Sequence, residues 1–290
     1  MTMAPRQLDK KDYPAALLEI PQSPESLWIR GSLPPAGTKL LAVVGSRALS
    51  RYGKEACEQL IAGLAGYPIS IVSGLALGAD ACAHRAALAA GLHTIAIPGS
   101  GLDDSVIGPR TNLGLAQDIL KAGGALISEH EPKYKAAPWD FPSRNRIMAG
   151  MADAVLMIEA SNRSGTLITA RLAGEYNRDL LVIPHRIGDP HGFGPHLFAR
   201  LGAALVTEPN HILEVLKIAP REAGAAGTAP ELEGAEKEIW DLLTEPRTRD
   251  EILRSSTALG VNGAAEILTA LVSLELQGLI KEEFGAWRKT

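Results

Sequence analysis

The chain has 290 residues, 46% of them hydrophobic. That apolar content excludes a mostly disordered chain, and the length exceeds that of minimal domains that need metal or disulfide staples. The formal net charge of −4 excludes a uniformly basic nucleic-acid coat but leaves room for a local basic groove.

The N-terminus, MTMAPRQLDKKDYP, has no apolar h-region, so no signal peptide is expected. The uncharged stretch from Gln59 to Ala79 is broken by Gly63, Gly66, Pro68, Gly74 and Gly78. It reads as helix, turn, strand and loop, not as a membrane span. A soluble cytoplasmic protein is expected. Cys57 and Cys82 form no C-x-x-C and no disulfide framework, so both read as packing residues in a reducing compartment.

Six short apolar runs follow in order: LLAVVG (40–45), ISIVSG (69–74), TIAIPG (94–99), GALISE (124–129), AVLMIE (154–159) and LLVIPH (180–185). Runs without alternation suit strands buried on both faces. Helical patterns at Lys54–Ala65, Asp80–Ala90 and Thr166–Tyr176 lie between several of them. Strands alternating with helices predict a parallel sheet of α/β type. The Ala, Gly and Pro-rich segment APREAGAAGTAP (219–230) reads as a linker. The expected organisation is an N-terminal extension packing on the core (1–37), an extended Rossmann-like core (38–218), a linker (219–232) and a small C-terminal domain (233–290).

In such a sheet, ligands sit outside the carboxyl ends of the strands. Here those ends carry Gly45-Ser46-Arg47, then Ser73-Gly74 through Gly78, then Gly99-Ser100-Gly101, then Ser164-Gly165-Thr166. Each loop can offer backbone N–H groups at a helix N-terminus, an anion site. At Ser164-Gly165-Thr166 an oxyanion is expected to meet free amides and the positive end of the helix dipole. There is no G-x-G-x-x-G after the first strand and no Walker A lysine. Phe141-Pro142-Ser143-Arg144-Asn145-Arg146 joins an aromatic face, two guanidiniums and an amide. Arginine forks suit phosphate oxygens, and a phenyl ring can stack on a base. With Arg47 and Arg110 these residues would line one groove. The residues alone leave a second reading open, in which Arg144 and Arg146 pair with Asp140 or Asp153 and Phe141 is core.

Catalytic and metal signals are thin. His84, His93, His130, His185, His191, His196 and His211 have no zinc spacing, and there is no G-x-S-x-G elbow. Asp103 and Asp104 read as solvated loop acids. His84 reads equally as a structural residue or a ligand. No cofactor, metal or catalytic residue is expected.

Residues 231–290 hold 7 Lys and Arg against 12 Asp and Glu, a net of −5, which leaves +1 for residues 1–230. The pattern there is three helices and a short hairpin: Ala235–Leu243, a second opened by the capping box Thr248-Arg249-Asp250-Glu251, then Asn262–Leu276, then 278–287 with Phe284 and Trp287. This is winged-helix-like. Between Arg254 and Lys281 there is no Lys or Arg. A major-groove reading helix would lack its cations, so a protein-contact module is expected.

The assembled pattern resembles the DprA (Smf) family of bacterial DNA-processing proteins. The resemblance runs from YPAALLEIPQSPESLWIRG at Tyr13 to near the C-terminus. It rests on an ordered set: GSR (45–47) with Tyr52-Gly53, SGLALGADACAH (73–84), GSGLD (99–103), SEH (128–130), FPSRNRIMAG (141–150) and SGTLITA (164–170). It implies binding of single-stranded DNA without sequence preference or catalysis, by a homodimer that hands the strand to the recombinase RecA during natural transformation or recombination. The family's DNA-contacting positions fall on Arg47, Arg110, Asn112, Phe141, Arg144, Asn145, Arg146, Ser164, Gly165 and Thr166. The chain departs from the family at Gly108 in place of a Tyr, at His185 in place of a Gly, and at Pro195-His196. A rival resemblance is to phosphoribohydrolases of the Lonely Guy type, which bind nucleoside monophosphates. Their P-G-G-x-G-T-x-x-E is echoed only by Ser164-Gly165-Thr166, with Thr169 and Ala170 where the catalytic Glu is due. A third reading is a dimeric scaffold whose C-terminal module carries partners.

Overall fold

The six apolar runs fold as neighbouring parallel strands, and each strand sends alternate side chains into a different core. Leu40, Ala42 and Val44 enter one apolar cluster, and Leu41 and Val43 enter another on the opposite face. The computed structural model describes residues 4–221, 232–259, 264–283 and 285–289. It divides into two units, 1–220 and 221–290.

The first unit opens with β1 (Arg6–Leu8), α1 (Ala15–Leu18), β2 (Leu27–Gly31), β3 (Lys39–Val44), α2 (Arg51–Ala62) and β4 (Ile69–Ser73). It continues through α3 (Ala79–Ala89), β5 (His93–Ala96), α4 (Leu113–Lys121), β6 (Ala125–Ser128), α5 (Asp140–Met151) and β7 (Ala154–Met157). It closes with α6 (Thr166–Glu175), β8 (Asp179–Val182), α7 (Phe193–Arg200), β9 (Ala204–Leu205) and α8 (Pro209–Val215).

These strands make one nine-stranded sheet in the order β1-β2-β6-β5-β4-β3-β7-β8-β9. From β6 to β9 all pairs are parallel. β1 and β2 extend the sheet antiparallel at the β6 end. Residues 6–31 thus supply two strands of the central sheet. Helices α5, α6 and α7 contribute Ile147, Met148, Met151, Leu167, Ala170 and Phe198 to one face. Helices α2, α3 and α8 cover the other with Leu60, Ile61, Ala83, Ala87, Ile212 and Leu213.

The predicted helix at 54–65 begins earlier, at Arg51, because Ser50 caps it: the Ser50 hydroxyl accepts the Gly53 N–H at 3.0 Å. Residues 141–150, read as a recognition segment, lie in α5, with Pro142 in its first turn where a missing N–H costs nothing.

The second unit has its own core, built on Ile239, Leu243, Ile252, Ile267, Leu271, Leu274, Ile280 and Trp287. Its elements are α9 (Gly234–Leu242), β10 (Arg247–Thr248), α10 (Arg249–Leu259), α11 (Ala264–Leu276), β11 (Ile280–Glu283) and β12 (Ala286–Lys289). The three strands pair antiparallel in the order β10-β12-β11. The capping box opens α10: Thr248 N–H donates to the Glu251 carboxylate at 2.8 Å, and Glu251 N–H donates to the Thr248 hydroxyl at 3.4 Å. Most of the linker, Asn262 and Phe284 lie outside the described residues.

Candidate functional site

The chain winds outward from β3 through β4 and β5 to β6, then returns to the other side of β3 to place β7, β8 and β9. The order reverses between β3 and β7, so the loops leaving these two strands diverge and leave a crevice. A cavity of about 750 Å³ occupies that position. Its walls are Gly45, Ser46 and Arg47 after β3, Ser164, Gly165 and Thr166 before α6, and Phe141, Arg144 and Asn145 on α5. Three segments, 45–47, 141–145 and 164–166, are thereby brought to one site.

The β3–α2 loop is held by the loop after β4. The Ala79 N–H donates to Ser46 O at 3.0 Å. Gly78, with φ +73°, makes the turn there, and a Cβ on it would lie 2.2 Å from Ser46 O. Arg47 is exposed, with its guanidinium carbon 5.3 Å from the centre of the Phe141 ring. Among the described residues no carboxylate pairs with it.

The crevice floor is charged and buried. Arg144 is buried, and its guanidinium donates to Ile97 O. Burial lowers its pKa to about 10. A Cβ at Gly74 would lie 2.0 Å from that guanidinium, so glycine is what makes room for it. Asp80, in the first turn of α3, is buried beside it and accepts the Ala76 N–H at 3.3 Å. Burial raises the Asp80 pKa, against the opposing pull of Arg144. His84, one turn on, is fully buried with Nδ1 2.8 Å from the Thr94 hydroxyl. Because Thr94 donates its own proton to Ile71 O at 2.9 Å, His84 Nδ1 is the donor of that pair. Burial lowers the His84 pKa to about 3. It is a neutral packing residue, which closes the ligand reading.

The free amides expected at the 164–166 loop are mostly occupied. Ser164 N–H donates to Ser161 O, Leu167 N–H to Ser164 O and Ile168 N–H to Gly165 O. Thr166 N–H donates to the Ser164 hydroxyl at 3.2 Å. The loop closes as a serine turn on itself, and Gly165 N–H is the amide left open among the described residues. An anion would have to compete for the others.

Several expected site residues do not line the crevice. Ser73 is buried and donates to Val43 O at 2.7 Å. Asn112 spends its amide on Leu75 O and Ala76 O, at 2.9 and 3.1 Å. Gly99 backs the Phe141 ring, and Gly101 lies against the backbone of Glu131 and Pro132. Arg110 is exposed and donates to Asp104 O. Arg146 pairs with Glu129 and lines a separate polar cavity of about 520 Å³ with Gln22, Ser23 and Ser26. Neither Arg144 nor Arg146 takes the acids first considered. Asp153 binds Lys39 at 2.8 Å, and Asp140 accepts from Tyr134 and the Ala137 N–H. Asp104 pairs with buried Arg30, which holds its carboxyl low.

Two residues escaped the sequence reading. Asp80 sits inside a helical pattern, where an acid reads as a surface residue. Glu159 closes an apolar run, where the pattern marks only the end of a strand. Its side chain is buried and accepts both the N–H (3.0 Å) and the hydroxyl of Ser50, with His191 Nδ1 at 3.0 Å. It ties the loop bearing Arg47 to the end of β7. Of the other histidines, His185 is 3.7 Å from Asp189 and His196 Nε2 is 3.0 Å from His185 O. Among the described residues no cluster of His, Cys, Asp and Glu is fit to hold a metal, and no helix is long and apolar enough to cross a membrane.

Residues 6–217 match the family model described as DNA recombination-mediator protein A. The chain is 38% identical to protein Smf of Escherichia coli over 278 residues, covering 94% of this chain and 73% of that one. The X-ray structure of DNA processing protein A from Streptococcus pneumoniae is similar at 39% identity and a TM-score of 0.67, over 72% of this chain and 73% of that one. DNA processing protein A from Helicobacter pylori, whose structure is described for its single-stranded DNA binding mode, is similar at 27% identity and a TM-score of 0.64. That match covers 75% of this chain and 98% of that one.

Proposed function

The chain belongs to the DNA recombination-mediator protein A family, and on that premise we propose that it binds single-stranded DNA in the crevice between β3 and β7, without sequence preference and without catalysing a reaction. The observation that carries this reading is the meeting of Arg47, Phe141 and the 164–166 loop at one switch point. A cation and an open amide suit phosphate, and an aromatic face suits any base. None of these contacts reads a base edge, so sequence would matter little. Arg47 rests on the Phe141 ring in the free protein. On binding, we expect it to swing to a phosphate and leave the ring to a base. The phosphates then lie along 45–47 and 164–166. Arg144 and Asp80 act from below, fixing the floor.

As in the family resemblance, we assign the protein the role of loading RecA on the bound strand, in the cytoplasm and as a homodimer. The face assigned to pairing is the free sheet edge at β9, where Leu201 and Leu205 are 71% and 52% exposed. Such an edge is a template for a second chain. The second unit is assigned a winged-helix arrangement and a protein-contact role. Support comes from the exposed Glu266, Val272, Glu275 and Leu276 on α11, a face without a cation.

The test is fluorescence anisotropy with labelled oligo-dT, a mixed-sequence single strand and its duplex, with a parallel assay for base release from nucleoside monophosphates. Equal binding of both single strands, weaker duplex binding and no base release are expected. Duplex preference would overturn the reading, and base release with no strand binding would overturn it in favour of the phosphoribohydrolase one. Thr169 stands in the crevice wall where that chemistry needs a carboxylate.

A further inference from the structure

The two cysteines stand 25 positions apart in sequence, yet the fold brings them into one apolar seam. Cys57 lies on α2 and Cys82 on α3, and both belong to the apolar cluster between these helices and the sheet. Each thiol is the strongest influence on the other's ionisation. The Cys82 sulfur also lies 3.8 Å from Lys54 O, one turn before Cys57 on the facing helix. Cys57 is wholly buried, while Cys82 keeps 7% exposure. Both are buried, and Cys82 is the less completely covered of the two.

We propose that Cys57 and Cys82 form a dithiol that hydrogen peroxide oxidises to an intramolecular disulfide, stapling α2 to α3. The electrostatics favour Cys82 as the attacking sulfur. Its pKa is lowered, first by the neighbouring Cys57 thiol and then by Lys54 and Arg85, against the opposing effects of burial and Glu58. The same neighbour and burial raise Cys57, keeping it a thiol. In the first step the Cys82 thiolate attacks a peroxide oxygen. The O–O bond breaks, hydroxide leaves and takes a proton as water, and Cys82 becomes a sulfenic acid. In the second step the Cys57 sulfur attacks the Cys82 sulfur. The S–S bond forms, the S–O bond breaks, and the hydroxyl leaves as water with the Cys57 proton. Two electrons pass from the sulfurs to the peroxide, and two waters are formed. Disulfide formation requires the two sulfurs to close to about 2.05 Å across the α2–α3 seam.

The staple would tie together the helices that begin at the loops carrying Arg47 and Gly78. The inference does not depend on what those loops bind. Its test uses the reduced full-length protein, exposed to equimolar hydrogen peroxide, quenched by alkylation after denaturation and weighed intact. Expected are a monomer lighter by two hydrogens, both thiols protected from alkylation, and one peptide pair joining 57 to 82. Dithiothreitol should reverse all three, and the oxidised form should melt at a higher temperature. In Cys57→Ala, dimedone should trap a sulfenic acid on Cys82; in Cys82→Ala, Cys57 should stay unreactive. A cross-link between two chains, oxygen adducts on Cys82 beside a free Cys57, or two free thiols after excess peroxide would each overturn the proposal. These three outcomes are read on the unmutated protein.

Discussion

His84 and Phe141 illustrate how burial decides what a residue does. His84 has an ordinary pKa of 6.5 and a folded one of about 3. The unfolded chain therefore binds the proton first as pH falls. The stability that neutral His84 gives is complete above pH 6.5 and is lost progressively toward pH 3, at about 1.4 kcal/mol per pH unit from this group. His84→Gln should flatten that part of the stability profile, measured by urea unfolding at several pH values. Phe141→Leu keeps the apolar volume roughly but loses the flat ring. It should weaken single-strand binding by about 1–3 kcal/mol, the worth of one stacked base, with little change in unfolding midpoint. The motif segments were legible at this scale because they bring rare residue types together: Arg47, Phe141, Arg144 and the 164–166 loop all reach the crevice. Asn112 and Arg146 were not separable from them by residue type. Their amide and guanidinium turn to Leu75 O and Glu129 through contacts made at long range.

Among the elements, the six buried strands were legible because a strand covered on both faces must be continuously apolar. β1, β2 and β9 were not. β1 and β9 have three and two residues, and β9 is exposed, so no periodicity can build up. α5 escaped because Pro142, Arg144, Asn145 and Arg146 break any apolar face, and it is held by the core it enters through Ile147, Met148 and Met151. The join between elements rests on Ser50. Its hydroxyl caps α2 and donates to buried Glu159. Ser50→Ala should cost about 1–2 kcal/mol for the cap, and more for the carboxylate left short of a donor. Because the 45–50 loop is then less tightly held, strand binding should fall with it, read by denaturant unfolding and anisotropy on the same sample.

At the scale of the molecule, the charge is segregated between the units: a net of +1 over residues 1–230 and −5 over 231–290. The sequence showed that division, but not the strand order, which depends on pairings across the whole first unit. If the acidic unit is a protein-contact module, charge reversal on its α11 face, Glu266→Lys with Glu275→Lys, should leave oligonucleotide affinity within about twofold. Likewise Leu201→Arg at the β9 edge should shift the light-scattering mass toward that of one chain. The most direct measurement of the central claim is oligo-dT affinity across a salt series for the wild type and Arg47→Ala. Counterion release predicts a linear fall of log affinity with log salt, and a variant that binds more weakly on every sequence, its slope shallower by about one phosphate contact. Equal affinity and equal slope in the two proteins would contradict the crevice as the DNA site.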